Sequence, residues 1–442
     1  MSAIGQYQVR AASAAELVRE IESALARGQL QPGQRLASVR QLALQTGLSP
    51  ATVAAGLAEL RRRGVIVSEP RRGMRIGAVP PIDLPASLPV PPGARDLSRG
   101  NPDPLLLPDL QSALRKLKAP MRLYGEPAIL AELAEIARER LRSDGVPAQS
   151  LCVVSGALDG IERVLSVHLR PGDRVAVENP GYAALFHLLR ARGFGLEPVA
   201  IDDRGMLPAA LEDALGRGAQ ALVITPRGQN PTGAALDAER AKQLRSVLGR
   251  YPATLAIEDD HLGEVAGTEL HSVVSVAKRW AAARSVAKAL GPDLRLAILA
   301  GDSESIARVQ GIQAAGPGWV SHMLQRLVLT LLCDPRVGAL VDRARDTYTE
   351  RRECLLDRLA AHGITASGRS GLNVWIAVAE ETTVVAGALA RGWVLSPGAP
   401  YRLGEGPPAV RVTIAALKAK DAERLAGELA QVIGSLDGAR SG

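Results

Sequence analysis

The chain has 442 residues, 47% hydrophobic and 22% charged, a composition that excludes a disordered or fibrous protein and allows roughly three domains, or fewer larger ones. Aromatics are scarce, with 4 Trp, 6 Tyr and 2 Phe, so each one is expected to hold a position that an aliphatic side chain cannot fill. The formal net charge of +7 is unevenly spread: residues 1–80 hold eleven Arg and no Lys against five Glu, and the rest of the chain is nearly neutral. A basic segment joined to a neutral body points to a polyanion, most simply nucleic acid, although a solvated helical face would carry the same charge. Cys152, Cys333 and Cys354 lie far apart, with no CxxC or Cys/His ligand spacing, so neither a disulfide framework nor a metal site is expected. The N-terminus lacks an apolar signal core, and no run approaches the roughly eighteen apolar residues of a membrane span. The protein is expected in the cytoplasm, without a membrane partner.

In chain order, Leu17, Ile21 and Leu25 recur every four residues and predict a helix from Ala14 to Arg27. Ser38 suits the cap of a helix through Thr46, Gly47 a tight turn, and Ser49 the cap of a third helix with Pro50 at its first position. The run VIVSEPRRGMRIG alternates and breaks at Pro70 to Gly73, as a two-stranded hairpin with an Arg-bearing tip does. These elements make a winged helix-turn-helix over 1–77. Residues 77–94 hold six prolines in eighteen positions, which predicts an extended, semi-rigid linker, assigned to 78–95. In the body, 96–442, strand-like runs such as ALVIT, TLAIE and RLAILAG alternate with amphipathic stretches. An α/β fold with a mainly parallel, helix-covered sheet is expected, with a smaller C-terminal α+β subdomain over roughly 336–436.

Pro32, Gly33, Arg35, Leu36, Ser38, Val39 and Arg40 form one conspicuous loop, Ser49, Thr52 and Val53 follow at a helix start, and Gly73 lies in the hairpin. This pattern resembles the DNA-binding domain of the GntR family of bacterial regulators, with Ala37 in place of the usual proline. The resemblance implies that Arg35, Arg40 and Thr52 meet phosphate or base edges of a double-stranded DNA operator, with Ser38, Ser49 and Gly73 in the same motif. It places Arg72 on the wing near the backbone or minor groove. Val39, Leu42, Leu57 and Leu60 read as core, and Arg61 to Arg63 as solvated charges that suit a helix C-terminus.

Four signals follow in order: SGALDGIERVLSVHLRPGD with ENPGY, TPRGQNPTG, IEDDHLGE and RSVAKALGPDLRL. Their order and spacing resemble the fold-type I aminotransferases that use pyridoxal 5′-phosphate, and with the N-terminal segment and linker the whole chain resembles a MocR-type regulator. The resemblance implies that Lys288 is the catalytic residue that forms the internal aldimine. Ser285 and Arg295 would hold the phosphate, and the backbone amides of Gly156, Ala157 and Leu158 would complete its cradle at a helix start. Asp259, after the run TLAIE, is assigned to the pyridine nitrogen in preference to Asp260, Asn230 to the ring oxygen O3′, and Tyr182 to the ring face. Tyr124, in RLYGEP, would reach the phosphate bound by the other subunit, which implies a homodimer with shared active sites. Arg411, in AVRVTI, would grip an amino-acid α-carboxylate.

Several positions depart from the family pattern. His261 stands where many relatives have a tyrosine that contacts O3′, TPRGQ replaces the more usual TPSHQ, and Ala287 removes a hydroxyl before the lysine. They leave cofactor binding in place and weigh against efficient transamination. Trp319 and His322 are open between lining the site and packing. The expected function is a pyridoxal-phosphate-dependent, DNA-binding transcriptional regulator that senses an amino acid or amine effector by Schiff-base exchange at Lys288, with at most partial aminotransferase activity. Two alternatives stand beside it: a catalytically active aminotransferase with an N-terminal DNA-binding domain, and a sensor of the coenzyme itself.

Overall fold

The computed structural model describes residues 9–26, 29–62, 64–69, 73–77, 89–118 and 120–440. One compact unit includes the described residues up to 77, and a second includes most of the remainder.

In the first unit, α1 (Ala14–Ala26) buries Leu17 and Ile21, one turn apart on one face. Helix α2 (Val39–Thr46) starts at a reciprocal cap. The Ser38 hydroxyl accepts from the Gln41 N–H at 3.3 Å, and the Gln41 side-chain carbonyl accepts from the Ser38 N–H at 3.0 Å. Gly47, at φ 72°, closes α2 in the left-handed conformation and turns the chain into α3 (Pro50–Arg62), where the Ser49 hydroxyl accepts from the Thr52 N–H at 3.1 Å. A Cβ on Gly56 would lie 3.0 Å from Leu17 and 3.2 Å from the Ala14 carbonyl, so α1 and α3 approach closely where the side chain is missing. The antiparallel strands β1 (Ile66–Glu69) and β2 (Gly73–Ile76) pair Ile66 with Ile76, both buried against Leu42, Val53, Leu57 and Leu60. The hairpin tip, Arg72 included, lies outside the described residues, as do 78–88 of the expected linker.

The second unit corrects the expected linker boundary. Arg95 already belongs to β3 (Arg95–Asp96), which pairs in parallel with β14 (Trp393–Val394). The Arg95 and Leu97 N–H groups donate to the Gly392 and Val394 carbonyls at 2.8 and 2.9 Å. The C-terminal lobe therefore recruits the first residues of the body and is not purely C-terminal. Its antiparallel sheet runs in the order β12 (Ala366–Ser367), β13 (Asn373–Ala377), β16 (Ala409–Thr413), β15 (Ser396–Pro397), with the long helices Pro335–Ala361 and Ala419–Arg440 in the same lobe.

The large sheet contains β4 (Ser150–Val154), β5 (Arg174–Asn179), β6 (Gly195–Asp202), β7 (Gly205–Met206), β8 (Ala221–Ile224), β9 (Leu255–Asp260), β10 (Arg279–Ser285) and β11 (Ala297–Gly301). Their order is β4-β11-β10-β9-β8-β5-β6-β7. Strands β5, β8, β9 and β10 are parallel, whereas β11 and β4 at one end and β7 at the other are antiparallel to their neighbours, so the sheet is mixed with a parallel centre. Every residue of β8, β9 and β11 is buried, as strands covered on both faces require. Strand β9 runs two residues past the TLAIE pattern because its pairing with β10 continues to Asp260 opposite Arg284. Asp259 thus sits inside the strand end rather than after it. No described helix is long and apolar enough to cross a membrane, and no cluster suited to a metal occurs among the described residues.

Candidate functional site

The carboxyl ends of β8, β9 and β10 open into a cavity of about 560 Å³, whose walls also include Gly100, Tyr401 and Arg411. Lys288 lies on the short helix Ala287–Leu290 directly after β10, and its ammonium donates to the Gly100 carbonyl at 2.6 Å. Burial, aided by the Arg411 charge, pulls it down to about 8, so roughly a tenth is free base at pH 7, far more than for a solvated lysine.

Strand alternation separates the two neighbouring aspartates. Asp259 lines the cavity, and its buried Oδ1 has no hydrogen-bond partner in the chain. Burial, with Asp260 adding repulsion, pushes it up to about 7. Asp260 is instead enclosed by protein. Both of its oxygens accept from Arg227 at 2.9 Å, one accepts from Arg284 at 2.8 Å, and the other from the Gly263 N–H at 3.2 Å. Asp144 bridges the same two arginines at 3.3 and 2.7 Å. Burial opposes ionisation of Asp260, but the Arg284 and Arg227 guanidinia overcome it and hold the carboxyl at about 2. Arg227, visible in the sequence as an unusual residue, is thus a partner of Asp260.

At one end of the cavity, Gly156 (φ 104°) precedes the helix Ala157–His168, and a Cβ on it would come within 2.9 Å of the Arg295 guanidinium. Arg295 itself adopts a left-handed φ of 42° and donates to the Ser155 carbonyl at 3.3 Å. Ser285 ends β10 with its hydroxyl accepting from the Ala287 N–H at 3.2 Å. At the other end, Arg411 on β16 donates through Nη1 to Asn230 at 2.8 Å and through Nη2 to the Ser98 carbonyl, while its Nε has no partner. Its guanidinium lies 4.9 Å from the centre of the Tyr401 ring. Half-buried Tyr182 and His261 complete the wall. Burial, then Asp259, raises the Tyr182 hydroxyl; burial, then Lys288, pulls His261 down to about 4, so its imidazole is neutral at physiological pH. Below them, buried Glu178 accepts from the Thr225 N–H and from Gln229, tying the turns of Tyr182 and Asn230 together.

These residues fit pyridoxal 5′-phosphate, the group that the resemblance implies. The unpartnered Asp259 Oδ1 suits a ring N–H, the side-chain-free Gly156 beside Arg295 and Ser285 suits a phosphate, and Lys288 suits a carbonyl carbon. Ser285, Gly156, Ala157, Leu158, Tyr182, Asn230, Asp259, His261, Lys288, Arg295 and Arg411 are all brought to the one cavity. Tyr124 is not: it is 93% exposed, with its ring edge-on to Trp319 at 5.7 Å. Trp319 in turn stacks obliquely on His322 at 5.8 Å, and neither lines the cavity.

On the first unit, Arg35, Ser38, Arg40 and Gly73 line a shared groove, in which the Arg35 guanidinium lies over the bare Cα of Gly73. Ser49 and Thr52 occupy the first turn of α3, outside that groove, and their hydroxyls are 2.8 Å apart.

The family model for bacterial regulatory proteins of the gntR family matches residues 13–76, and that for aminotransferase class I and II matches residues 95–429. The vitamin B6 salvage pathway transcriptional repressor PtsJ of Salmonella typhimurium is 37% identical over 424 residues, covering 95% of this chain and 98% of its own length. The chain belongs to the MocR-type GntR family. This MocR-type protein is also 28% identical over 362 residues to the HTH-type pyridoxine biosynthesis transcriptional regulator PdxR of Corynebacterium glutamicum, with 78% of each chain covered. Its body shares the fold of LysN, the alpha-aminoadipate aminotransferase of Thermus thermophilus solved with N-(5′-phosphopyridoxyl)-L-leucine. The TM-score is 0.68 at 23% identity, covering 78% of this chain and 93% of LysN.

Proposed function

We propose that the chain is a cytoplasmic, pyridoxal-phosphate-dependent transcriptional regulator that binds operator DNA as a homodimer and senses an amino acid or amine at Lys288. Residues 1–77 serve as its DNA-binding domain and 95–442 as its coenzyme-binding body. The observation that carries this reading is the presence of two buried, unpartnered atoms, Asp259 Oδ1 and Arg411 Nε, on two residues that line one cavity with Lys288. When bound, the coenzyme supplies an electrophilic carbonyl carbon and an electron-withdrawing ring. Lys288, partly neutral because it is desolvated, provides the amine for that carbon. Asp259 holds the proton at the pyridine nitrogen, Asn230 and His261 contact O3′, and Tyr182 packs on the ring. Arg295, Ser285 and the amides of Gly156, Ala157 and Leu158 hold the phosphate, joined by the partner's Tyr124. Arg411 takes the effector carboxylate as a planar fork. Arg35, Arg40 and Thr52 meet DNA, with Ser38 and Ser49 fixing the helix starts and Arg72 on the wing.

Adding pyridoxal 5′-phosphate to the purified protein should generate a visible absorption band that Lys288→Ala abolishes. An absent band, or one that survives the substitution, would sink the coenzyme reading. The DNA fragments retained with and without candidate amines would identify operator and effector together.

A second reading, in which the coenzyme itself is the signal, is favoured by the names of PtsJ and PdxR, both tied to vitamin B6. Titrating amino compounds against the absorption band separates the two, since a sensor of the coenzyme alone shows no spectral response to them.

A further inference from the structure

The inward face of α3 fixes which residues the helix presents to solvent. Val53, Leu57 and Leu60 are buried in the core of the first unit, and Gly56 packs on Leu17. On the other side, the exposed residues from Pro50 to Ala58 are Pro50, Ala51, Ala54, Ala55 and Ala58. None of them carries a hydrogen-bonding side chain. Half-buried Thr52 stands at the border of this face, and its hydroxyl lies 2.8 Å from that of Ser49, which also accepts from the Thr52 N–H. The next exposed polar residue is Arg61, in the last turn, whose guanidinium donates to the Met74 sulfur at 3.7 Å.

In a helix-turn-helix the second helix enters the major groove, and its N-terminal residues meet the base edges. Phosphate contacts fix position there, whereas base contacts carry the sequence information. Arg35 and Arg40, which precede α3, supply cations for phosphates. The base contacts fall to a face that lacks the Arg, Lys, Asn or Gln forks by which guanine and adenine are read. A methyl side chain has one good partner in that groove, the 5-methyl group of thymine, the single apolar group on any major-groove base edge. Guanine, adenine and cytosine present only polar groups at their edges, and packing alanine on them desolvates those groups without pairing them. Side chains one carbon long also let the backbone cylinder of the helix approach the bases more closely than longer ones would.

We propose that this chain selects its operator through thymine methyl groups, with Ala51, Ala54 and Ala55 as the specificity-determining residues and Thr52 as their polar neighbour. The proposal rests on the DNA-binding reading of the first unit. Which residues face outward rests on packing within the chain alone.

The test begins with selection of duplexes from a random-sequence pool by the full wild-type chain. Each thymine of the best selected duplex is then replaced in turn by deoxyuridine, which lacks only the methyl group. At several thymines of each half-site the affinity should fall about fourfold per methyl removed, read by fluorescence anisotropy at one fixed salt concentration. Ala51→Gly, Ala54→Gly and Ala55→Gly should each remove the thymine preference at one of those positions while the others keep it. Equal binding of thymine and uracil duplexes at every position overturns the proposal and leaves the alanines as helix formers only. A methyl dependence that survives all three glycine variants overturns it as well. If no sequence is enriched over the pool, the DNA reading of the first unit fails together with the proposal. Enrichment without methyl dependence removes the proposal alone.

Discussion

Asp259 and Lys288 are both driven toward their neutral forms by the same desolvation, and each leaves a measurable pH signature. The folded pKa of Asp259, about 7, lies above its ordinary value of 3.8, so the folded chain holds this proton more tightly than the unfolded chain does. The resulting stabilisation is fully present below about pH 4 and is lost as pH rises through about 7. Asp259→Asn should therefore stabilise the coenzyme-free protein relative to wild type by more at pH 8 than at pH 4.5. A differential of about 1–4 kcal/mol is expected in urea denaturation, and an equal shift at both pH values would contradict a raised carboxyl. Lys288 titrates at about 8 rather than 10.5. The rate of covalent pyridoxal phosphate capture, followed by stopped-flow absorbance, should rise with pH to a midpoint at about 8. A midpoint at about 10 would mean that the amine is fully solvated.

At the level of elements, the four-residue charge network explains how separate loops are held in register. Arg227 follows β8, Asp260 ends β9, Arg284 is on β10, and Asp144 caps the helix Ala131–Ser143. Asp260→Asn leaves two buried guanidinia with Asp144 as their remaining carboxylate and should cost about 3–5 kcal/mol in a denaturant melt. Arg227→Met, which leaves Asp260 paired with Arg284, should cost less. In the first unit, Ser38→Ala removes one side of a reciprocal cap and should destabilise that unit by about 0.5–2 kcal/mol, measurable in thermal unfolding. The sequence made both caps, the helix-turn-helix and most of the cavity lining legible, because those features depend on side-chain identity at short spacing. It was silent on the Ser98 and Gly100 carbonyls, which have no side-chain signature, and on Tyr401, which belongs to no motif. The β3–β14 pair escaped because two-residue strands carry no hydrophobic period. Arg227 stood out as unusual, yet nothing local pointed to Asp260 as its partner 33 residues on.

For the molecule as a whole, the basic surplus of the first 80 residues and the near-neutral remainder divide the electrostatic work. Counterion release predicts that binding to a non-specific duplex weakens steeply with salt. Arg40→Gln should reduce the slope of log K against log salt by about 0.9 for each phosphate that Arg40 neutralises, as measured by fluorescence anisotropy. A slope equal to that of wild type would mean that Arg40 meets no phosphate. The scarcity of aromatics has a different consequence, an optical one. Trp375 meets the Tyr401 ring edge-on at 6.2 Å, and that ring lies 4.9 Å from the Arg411 guanidinium, so one of only 4 indoles in the chain is a single ring away from the charge that would receive a carboxylate. The protein thus carries an intrinsic fluorophore one ring away from its candidate ligand site, in a chain with only three other indoles to share the emission.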